Sequence, residues 1–161
     1  MKKTTDKFTN KDAELLLNSL HDTYLQASDN AKKIINMSFR NVLYVLSESR
    51  PADFVSKSAQ KIWNKSGIQG NLHNLLVAKK RAIQKDYPEL KELLLEHCVP
   101  LSELCHAFMD DGKSVKYILN NLKTAWITKT ENSRLNKACR SNRQDWKTCY
   151  MEHKIELDIG D

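Results

Sequence analysis

Glycine, proline and long apolar runs are scarce in this chain. It has four Gly and three Pro in 161 residues, whereas an all-β fold needs a turn roughly every 8 to 12 residues and builds its turns largely from these residue types. No apolar run approaches the roughly 18 residues that span a bilayer, and the polar N-terminus lacks the apolar core of a signal peptide. The composition therefore disfavours an all-β protein, and we expect a cytoplasmic protein with no membrane partner.

Sequence signatures of catalysis are also missing. The chain contains no phosphate-binding glycine loop, no H-E-x-x-H motif, no nucleophile elbow and no carboxylate cluster with metal-site spacing. Each of these motifs brings reactive groups together by local geometry, so the sequence offers no local candidate for an active site. We expect a protein that is not an enzyme and that binds no cofactor.

The four cysteines include no closely spaced pair. Cys98, Cys105, Cys139 and Cys149 lack the C-x2-C spacing that brings two zinc ligands together. Cys149 and His153 do stand one helical turn apart, so a zinc site that uses them stays open as an alternative. Because cytosolic thiols are normally reduced, the favoured interpretation is four reduced, partly buried cysteines and no metal site.

Apolar residues repeat with a helical period through most of the chain. The repeat of three to four residues runs through seven successive segments, separated at Ser28–Asp29, Pro51, Gly67–Asn71, Pro88, Pro100 and Gly112. Asn10, Ser102 and Ser114 suit N-caps, and Gly67 suits a left-handed helix end. We therefore predict an all-α protein, a compact bundle of about seven to eight helices with one or two helix-turn-helix-like pairs.

Length and charge predict the domain organisation. A chain of 161 residues fits one domain with its own core, so residues 1–150 are expected to form a single all-α domain, with 10–98 and 99–150 as a further division. Residues 151–161 hold one Lys and four acidic residues. We interpret them as an acidic C-terminal tail, solvated and frayed; the alternative is a tail that folds back over a basic face.

Acidic residues are absent from one long block. Phe54 to Lys85 spans 32 residues with seven Lys or Arg and no Asp or Glu, although the whole chain has 20 acidic residues. Concentrated positive charge attracts polyanions, and the release of their counterions supplies affinity for a phosphate backbone. Nucleic acid is therefore the favoured partner.

The order of features in Asp53–Lys85 fits a helix-turn-helix unit. A basic helix, a turn bounded by glycines and a second helix with a polar outer face follow one another. His73 and Asn74 would begin the second helix, where base edges are read, while Lys80 and Arg81 would reach phosphates. An ordinary pair of antiparallel helices would give the same pattern.

Two further segments carry related signals. Ser102–Trp126 has the order helix, glycine turn, helix, although Asp110 and Asp111 would face a phosphate backbone unfavourably. Near the C-terminus, basic residues spaced by three or four spread over a broad helix face. The predicted nucleic-acid contacts are Lys57, Lys61, Lys65, Asn71, His73, Asn74, Lys80, Arg81, Gln84, Lys85, Arg134, Lys137, Arg140, Arg143 and Lys147.

Two functional classes follow from these features. The favoured one is a small basic, non-enzymatic nucleic-acid-binding protein, either a DNA-binding regulator or a non-catalytic subunit of a nucleoprotein complex. DNA is favoured over RNA because the chain has helix-turn-helix candidates and no RNP-type motif. The alternative is an all-α interaction module, an adaptor or inhibitor that docks on an acidic protein surface. A homodimer stays open in either class.

Overall fold

The protein combines helices with a four-stranded mixed sheet, so the all-α prediction is wrong. The computed structural model describes residues 9–139 and 145–159. The α-helices of this part are α1 (Asn10–Gln26), α2 (Asp29–Glu48), α3 (Lys57–Ser66), α4 (Val77–Ile83), α5 (Leu101–Met109), α6 (Val115–Asn121), α7 (Lys129–Ala138) and α8 (Trp146–Glu152). None of these helices is long and apolar enough to cross a membrane.

Four short strands form the sheet. They are β1 (Phe54–Ser56), β2 (Leu93–His97), β3 (Thr124–Thr128) and β4 (Leu157–Ile159), and short 3₁₀ helices cover Leu72–Asn74 and Pro88–Glu92. The strand order is β2-β3-β1-β4, with β1 parallel to β3 and each outer strand antiparallel to its neighbour. β2 and β4 are therefore the edge strands.

Helices cover both faces of the sheet. On one face, Val55 and Trp126 pack with buried residues of α3 and α4. On the other face, Ala125 and Ile127 pack with buried residues of α7 and α8. A separate apolar cluster joins α1, α2, α5 and α6. The core therefore consists of one apolar cluster on each face of the sheet and a third cluster among four helices.

The β2 region shows why the sequence pattern predicted a helix. Leu90, Leu93 and Leu94 repeat at three and four, which suggested a helix from Pro88 to His97. In the structure Leu93 and Leu94 are successive residues of β2, and their side chains point to opposite faces. A strand covered on both faces carries a continuous apolar run, and periodicity alone does not separate such a run from a helix.

β3 was misassigned for the same reason. The seventh predicted helix ran to Trp126, but α6 ends at Asn121. All five residues of β3 are buried, and its Thr, Trp and Ile are residue types enriched in strands. The pairing partners of β3 lie about 30 and 70 residues earlier in the chain, so no local pattern marks the strand.

Two of the four predicted helix ends are confirmed. Ser102 is not an N-cap, because α5 begins at Leu101 after Pro100. Gly67 ends α3 with φ of +72°, a left-handed conformation that glycine adopts without strain, and the Ser114 side chain caps α6. Both assignments are confirmed. α1 is capped by Thr9 instead of Asn10, because Thr9 and Asp12 form a reciprocal capping box.

Residues 151–159 belong to the folded protein and are not a frayed tail. β4 pairs with β1 along its length, and Ile155 is buried. Glu156 forms an ion pair with Lys57, so this segment does fold back against one basic residue. The division of residues 1–150 into one domain or two parts stays a prediction.

Cys139 and Cys149 form a disulfide, so the prediction of four reduced cysteines is wrong for this pair. Cys98 and Cys105 carry buried thiols. The paired cysteines are ten positions apart and lie at the end of α7 and within α8. The packing of these two helices on the same sheet face places the two cysteines side by side.

Candidate nucleic-acid interface

The three lysines of α3 form an exposed row. Lys57, Lys61 and Lys65 are all exposed, and their spacing of four residues aligns them along one side of the helix. Lys57 is paired with Glu156; this hydrogen bond raises the pKa of Lys57 and lowers the pKa of Glu156. Because both groups are exposed, the pair adds little to stability. Lys61 and Lys65 form no ion pair within 4 Å in the part of the chain that the structure describes.

The second helix of the Asp53–Lys85 unit does not begin with His73 and Asn74 as predicted. α4 begins at Val77, so His73 and Asn74 lie in a 3₁₀ helix before it. The Asn71 side chain caps that helix by accepting a hydrogen bond from the His73 backbone at 2.9 Å. The His73 ring is 3.2 Å from the Ala52 carbonyl oxygen. Asn71 and His73 therefore hold local structure.

Two basic residues of α4 also have structural partners. Lys80 Nζ donates to the Leu93 carbonyl oxygen at 2.7 Å, and burial, followed by the neighbouring charges of Lys129 and Arg81, lowers the pKa of Lys80. Arg81 pairs with Glu48 at 2.8 Å. Because Lys80 contacts the edge strand β2, it protects the edge of the sheet. The two remaining predicted contacts of this region differ in exposure: Gln84 is half-buried at the end of α4, whereas Lys85 is exposed.

The C-terminal basic residues are in different surroundings. Arg134 is half-buried, Lys137 and Lys147 are exposed, and the Lys147 ammonium lies 5.8 Å from the Trp146 ring centroid. Arg140 and Arg143 lie outside the described residues. The predicted contacts therefore do not form a single surface, since α3 and α4 pack on one face of the sheet and α7 and α8 on the other.

The second helix-turn-helix candidate is an ordinary helix pair in the core. α5 and α6 pack in the cluster that also contains α1 and α2, and Ile118 of α6 is fully buried there. Trp126, the end of the predicted unit, belongs to β3. His106 in α5 is bonded to Asp110 at 2.6 Å, which raises the pKa of His106. Neither helix presents a basic reading face.

One groove does combine basic and polar side chains. It lies between α7 and the edge strand β2 and has a volume of about 700 Å³. Its lining residues are Leu94, Lys129, Asn132, Ser133, Asn136 and Lys137. Five of these six belong to α7 and repeat at three or four residues, so they lie on one side of that helix. We call this feature the α7 groove.

Among the residues that the structure describes, no acidic side chain lines the α7 groove. The acidic residue of α7, Glu131, is turned away from it and is buried against Ser56 and Thr128. Glu96 lies two residues after Leu94 in β2 but does not line the groove. Lys129 is 3.5 Å from the exposed Glu92 carboxylate, a contact that water and salt screen. The groove therefore keeps a positive character.

Asn132, one of the lining residues of the groove, has a buried amide oxygen. Its Oδ1 is buried and has no hydrogen-bond partner within the described part of the chain. Buried polar atoms are nearly always paired with protein or with ordered water.

A second cleft is less suited to a polyanion. It has a volume of about 630 Å³, and its lining includes Lys113 and Lys147 together with the acidic residues Glu103, Asp111 and Asp145. Carboxylates beside a phosphate backbone repel it. The α7 groove is therefore the better candidate, although the second cleft contains one of the predicted contacts.

The sequence predictions missed most of the α7 groove. Lys137 was predicted, but Lys129, Asn132, Ser133 and Asn136 were not. A signal was present, because Lys129, Ser133 and Lys137 are spaced by four, as are Asn132 and Asn136. This polar row contains few charges, so it did not stand out against the acid-free block.

Known proteins supply no further evidence for this site. No protein-family model matches the chain, and no curated protein and no solved structure is significantly similar to it.

Proposed function

We propose that this protein is a non-enzymatic nucleic-acid-binding protein and that the α7 groove contacts the phosphate backbone. The observation that carries the proposal is the placement of Lys129 and Lys137 at the two ends of a groove whose lining, in the described part of the chain, contains polar side chains and no acidic one. Contacts of this kind fix position on a strand and carry little sequence information. The cytoplasmic location stays a prediction.

The dimensions of the groove fit a short length of backbone. Lys129 and Lys137 are eight residues apart on one helix, which is an axial distance of about 12 Å. That distance corresponds to roughly three to four base steps of a duplex. Between the lysines, Ser133 and Asn136 offer hydrogen bonds to phosphate or sugar oxygens. DNA stays the favoured nucleic acid, with RNA as the alternative.

A pair of matched double variants tests the proposal. Lys129→Ala/Lys137→Ala removes two charges from the groove, and Lys61→Ala/Lys65→Ala removes two exposed charges from α3 on the other sheet face. Fluorescence anisotropy with labelled duplex DNA, single-stranded DNA and RNA, measured over a salt series, compares them with the parent protein. We expect the groove variant to flatten the slope of log K against log salt by up to about two units, and the α3 variant to change it less.

Two outcomes would contradict the proposal. If both variants weaken binding equally, binding reflects overall charge and the groove has no special part. If the parent protein binds none of the three probes at low salt, nucleic acid is not its partner. Circular dichroism of each variant shows whether the fold is kept.

A second candidate function, protein binding, is favoured by one feature of α2. Besides its buried row, this helix exposes Ile34, Met37, Tyr44 and Val45, with Ile34 63% and Met37 58% exposed. At 100° per residue these four side chains lie on the side opposite to the buried row. The exposed Asn41 interrupts this row, but exposed apolar side chains grouped on one side of a helix are typical of an interface.

The α2 row suits a second copy of the chain. Two antiparallel α2 helices that cross at residues 40–41 would set Met37 of one copy against Tyr44 of the other, as a two-fold interface requires. Sedimentation velocity over a concentration series tests this pairing. We expect Met37→Glu to abolish self-association and Leu25→Glu, an exposed site on α1, to leave it unchanged; a parent protein that stays monomeric throughout excludes the dimer.

A further inference from the structure

Three groups that bind metals meet beside the sheet. Cys139 lies at the end of α7, Cys149 lies within α8, and His153 is the C-cap of α8. The two sulfur atoms and a ring nitrogen of His153 all lie within 4.8 Å of one another. In the structure the two sulfurs are joined in a disulfide.

A hydrogen bond fixes the tautomer of the His153 ring. Its Nδ1 is 2.9 Å from the Cys149 carbonyl oxygen. A carbonyl oxygen can only accept, so Nδ1 carries the proton and the lone pair of the neutral ring is on Nε2. A histidine whose Nδ1–H is bonded to a backbone carbonyl is the usual arrangement around a bound metal ion.

The cysteine side chains have the reach to hold an ion. The Cα atoms of Cys139 and Cys149 are 6.7 Å apart, toward the wide end of the usual range for a disulfide. Two thiolates on one tetrahedral zinc ion are about 3.8 Å apart, given a zinc–sulfur distance of about 2.3 Å. Reduction lets the sulfurs separate by rotation about their Cα–Cβ bonds. Cys149 is only 5% exposed, so the site is shielded from water on one side.

We propose that Cys139, Cys149 and His153 form a zinc site in the reduced protein, with the disulfide and the zinc complex as alternative states of the same residues. The ligands are the two sulfur atoms and Nε2 of His153, and a water molecule completes the tetrahedron. Thiolate and imidazole ligands favour zinc over magnesium or calcium. The site is separate from the α7 groove, and its test does not depend on nucleic-acid binding.

A phosphine serves as the reductant that converts the disulfide into the two thiols needed for the zinc complex. The phosphine reduces the disulfide to two thiols and becomes a phosphine oxide, taking its oxygen and the two thiol protons from one water molecule. Binding of Zn²⁺ then releases the two thiol protons, because zinc binds thiolates. The complex of two thiolates, one neutral imidazole and one Zn²⁺ has no net charge.

The test measures zinc uptake by the reduced full-length chain. Protein treated with a phosphine and freed of metal is titrated with Zn²⁺ in competition with a chromophoric chelator. We expect one zinc ion per chain in the reduced parent protein and none at this affinity in the oxidised parent protein. Cys139→Ser and Cys149→Ser should lose zinc binding, and His153→Gln should weaken it at least about tenfold.

Cys105→Ser is the matched control, because it makes the same chemical change at a buried cysteine in a different apolar cluster. It should keep one zinc ion per chain. The proposal is wrong if the reduced parent protein takes up no zinc, if the oxidised parent protein binds it equally well, or if Cys105→Ser loses it. If the Ser variants fail to fold, the comparison of oxidised with reduced parent protein decides.

Discussion

Ser56 and Glu131 are 75 residues apart in the chain, yet the Ser56 hydroxyl donates a 2.7 Å hydrogen bond to the Glu131 carboxylate, and both side chains are buried. Ser56 caps α3 by accepting from the Ala59 backbone. Glu131 takes part in the capping box of α7 with Thr128. One buried carboxylate therefore joins the first turns of two helices that pack on opposite faces of the sheet.

Removing this carboxylate should destabilise the protein. Glu131→Ala leaves the hydroxyls of Ser56 and Thr128 and the Thr128 backbone N–H without their acceptor. A buried donor left unpaired costs about 1 to 3 kcal/mol, so we expect the free energy of unfolding to fall by about 3 kcal/mol. Urea denaturation with an unchanged m-value measures the loss.

Two variants give this prediction its controls. Glu131→Gln keeps an acceptor oxygen but loses the charge, so it should cost less than Glu131→Ala. Glu92→Ala removes an exposed glutamate whose ion pair with Lys129 is worth little. Equal stability of Glu131→Ala and Glu92→Ala would mean that the buried link is not stabilising.

His97 should make folding stability depend on pH. Burial, helped by the charge of Arg50, lowers the pKa of His97 from 6.5 to about 4. The Ser47 hydroxyl already donates to the Leu43 carbonyl oxygen, so the 3.0 Å contact between Ser47 Oγ and His97 Nε2 has the histidine as donor, and the neutral ring carries its proton on Nε2.

The lowered pKa of His97 determines in which direction folding stability changes with pH. The unfolded chain binds a proton at His97 more readily than the folded chain, so stability falls as the pH drops from about 6.5 to about 4, by about 3 kcal/mol at most. His97→Gln should remove this part of the pH dependence. Free energies of unfolding of both proteins at several pH values test it, and parallel curves for the two proteins would refute it.

Lys80 should contribute to stability through its contact with the sheet edge. Lys80→Met keeps the apolar stem but removes the ammonium that donates to the Leu93 carbonyl oxygen, and we expect a loss of about 1 kcal/mol. Lys79→Met is the control, since Lys79 is exposed and its replacement should change stability by less than about 0.5 kcal/mol. Equal midpoints in urea for the two variants would show that Lys80 is only a surface charge.

These contacts also show which parts of the fold the sequence could predict. Helices depend on contacts between residues three and four apart in the chain. The apolar stripes of α1 and α2 and the helix end at Gly67 could therefore be recognised in the sequence. The sheet depends on pairs such as Val55 with Trp126, which are about 70 residues apart. Local periodicity contains no information on such pairs, and the short strands were absorbed into neighbouring helices.

The candidate site was predictable only in part, for a related reason. Charge composition identified basic residues, but it did not tell which of them have partners inside the protein. Lys80 and Arg81 use their charges within the fold, whereas Lys129 and Lys137 line an open groove, where the ion pair of Lys129 with Glu92 is exposed. That distinction depends on tertiary contacts, which the spacing of lysines in the sequence does not reveal.

The disulfide between Cys139 and Cys149 should stabilise the metal-free protein. It closes a short loop, with a sequence separation of ten residues, and the loop-entropy model gives about 3 kcal/mol for such a closure. We expect the oxidised parent protein to unfold at a higher temperature than the reduced protein in buffer that contains a chelator.

The double variant Cys139→Ser/Cys149→Ser provides the comparison. It should resemble the reduced parent protein, and its melting temperature should not change when a phosphine is added. The chelator matters because zinc bound to the reduced cysteines would itself stabilise the folded state by mass action. If reductant lowers the melting temperature of the double variant as much as that of the parent protein, the effect comes from another source and the disulfide does not stabilise this fold.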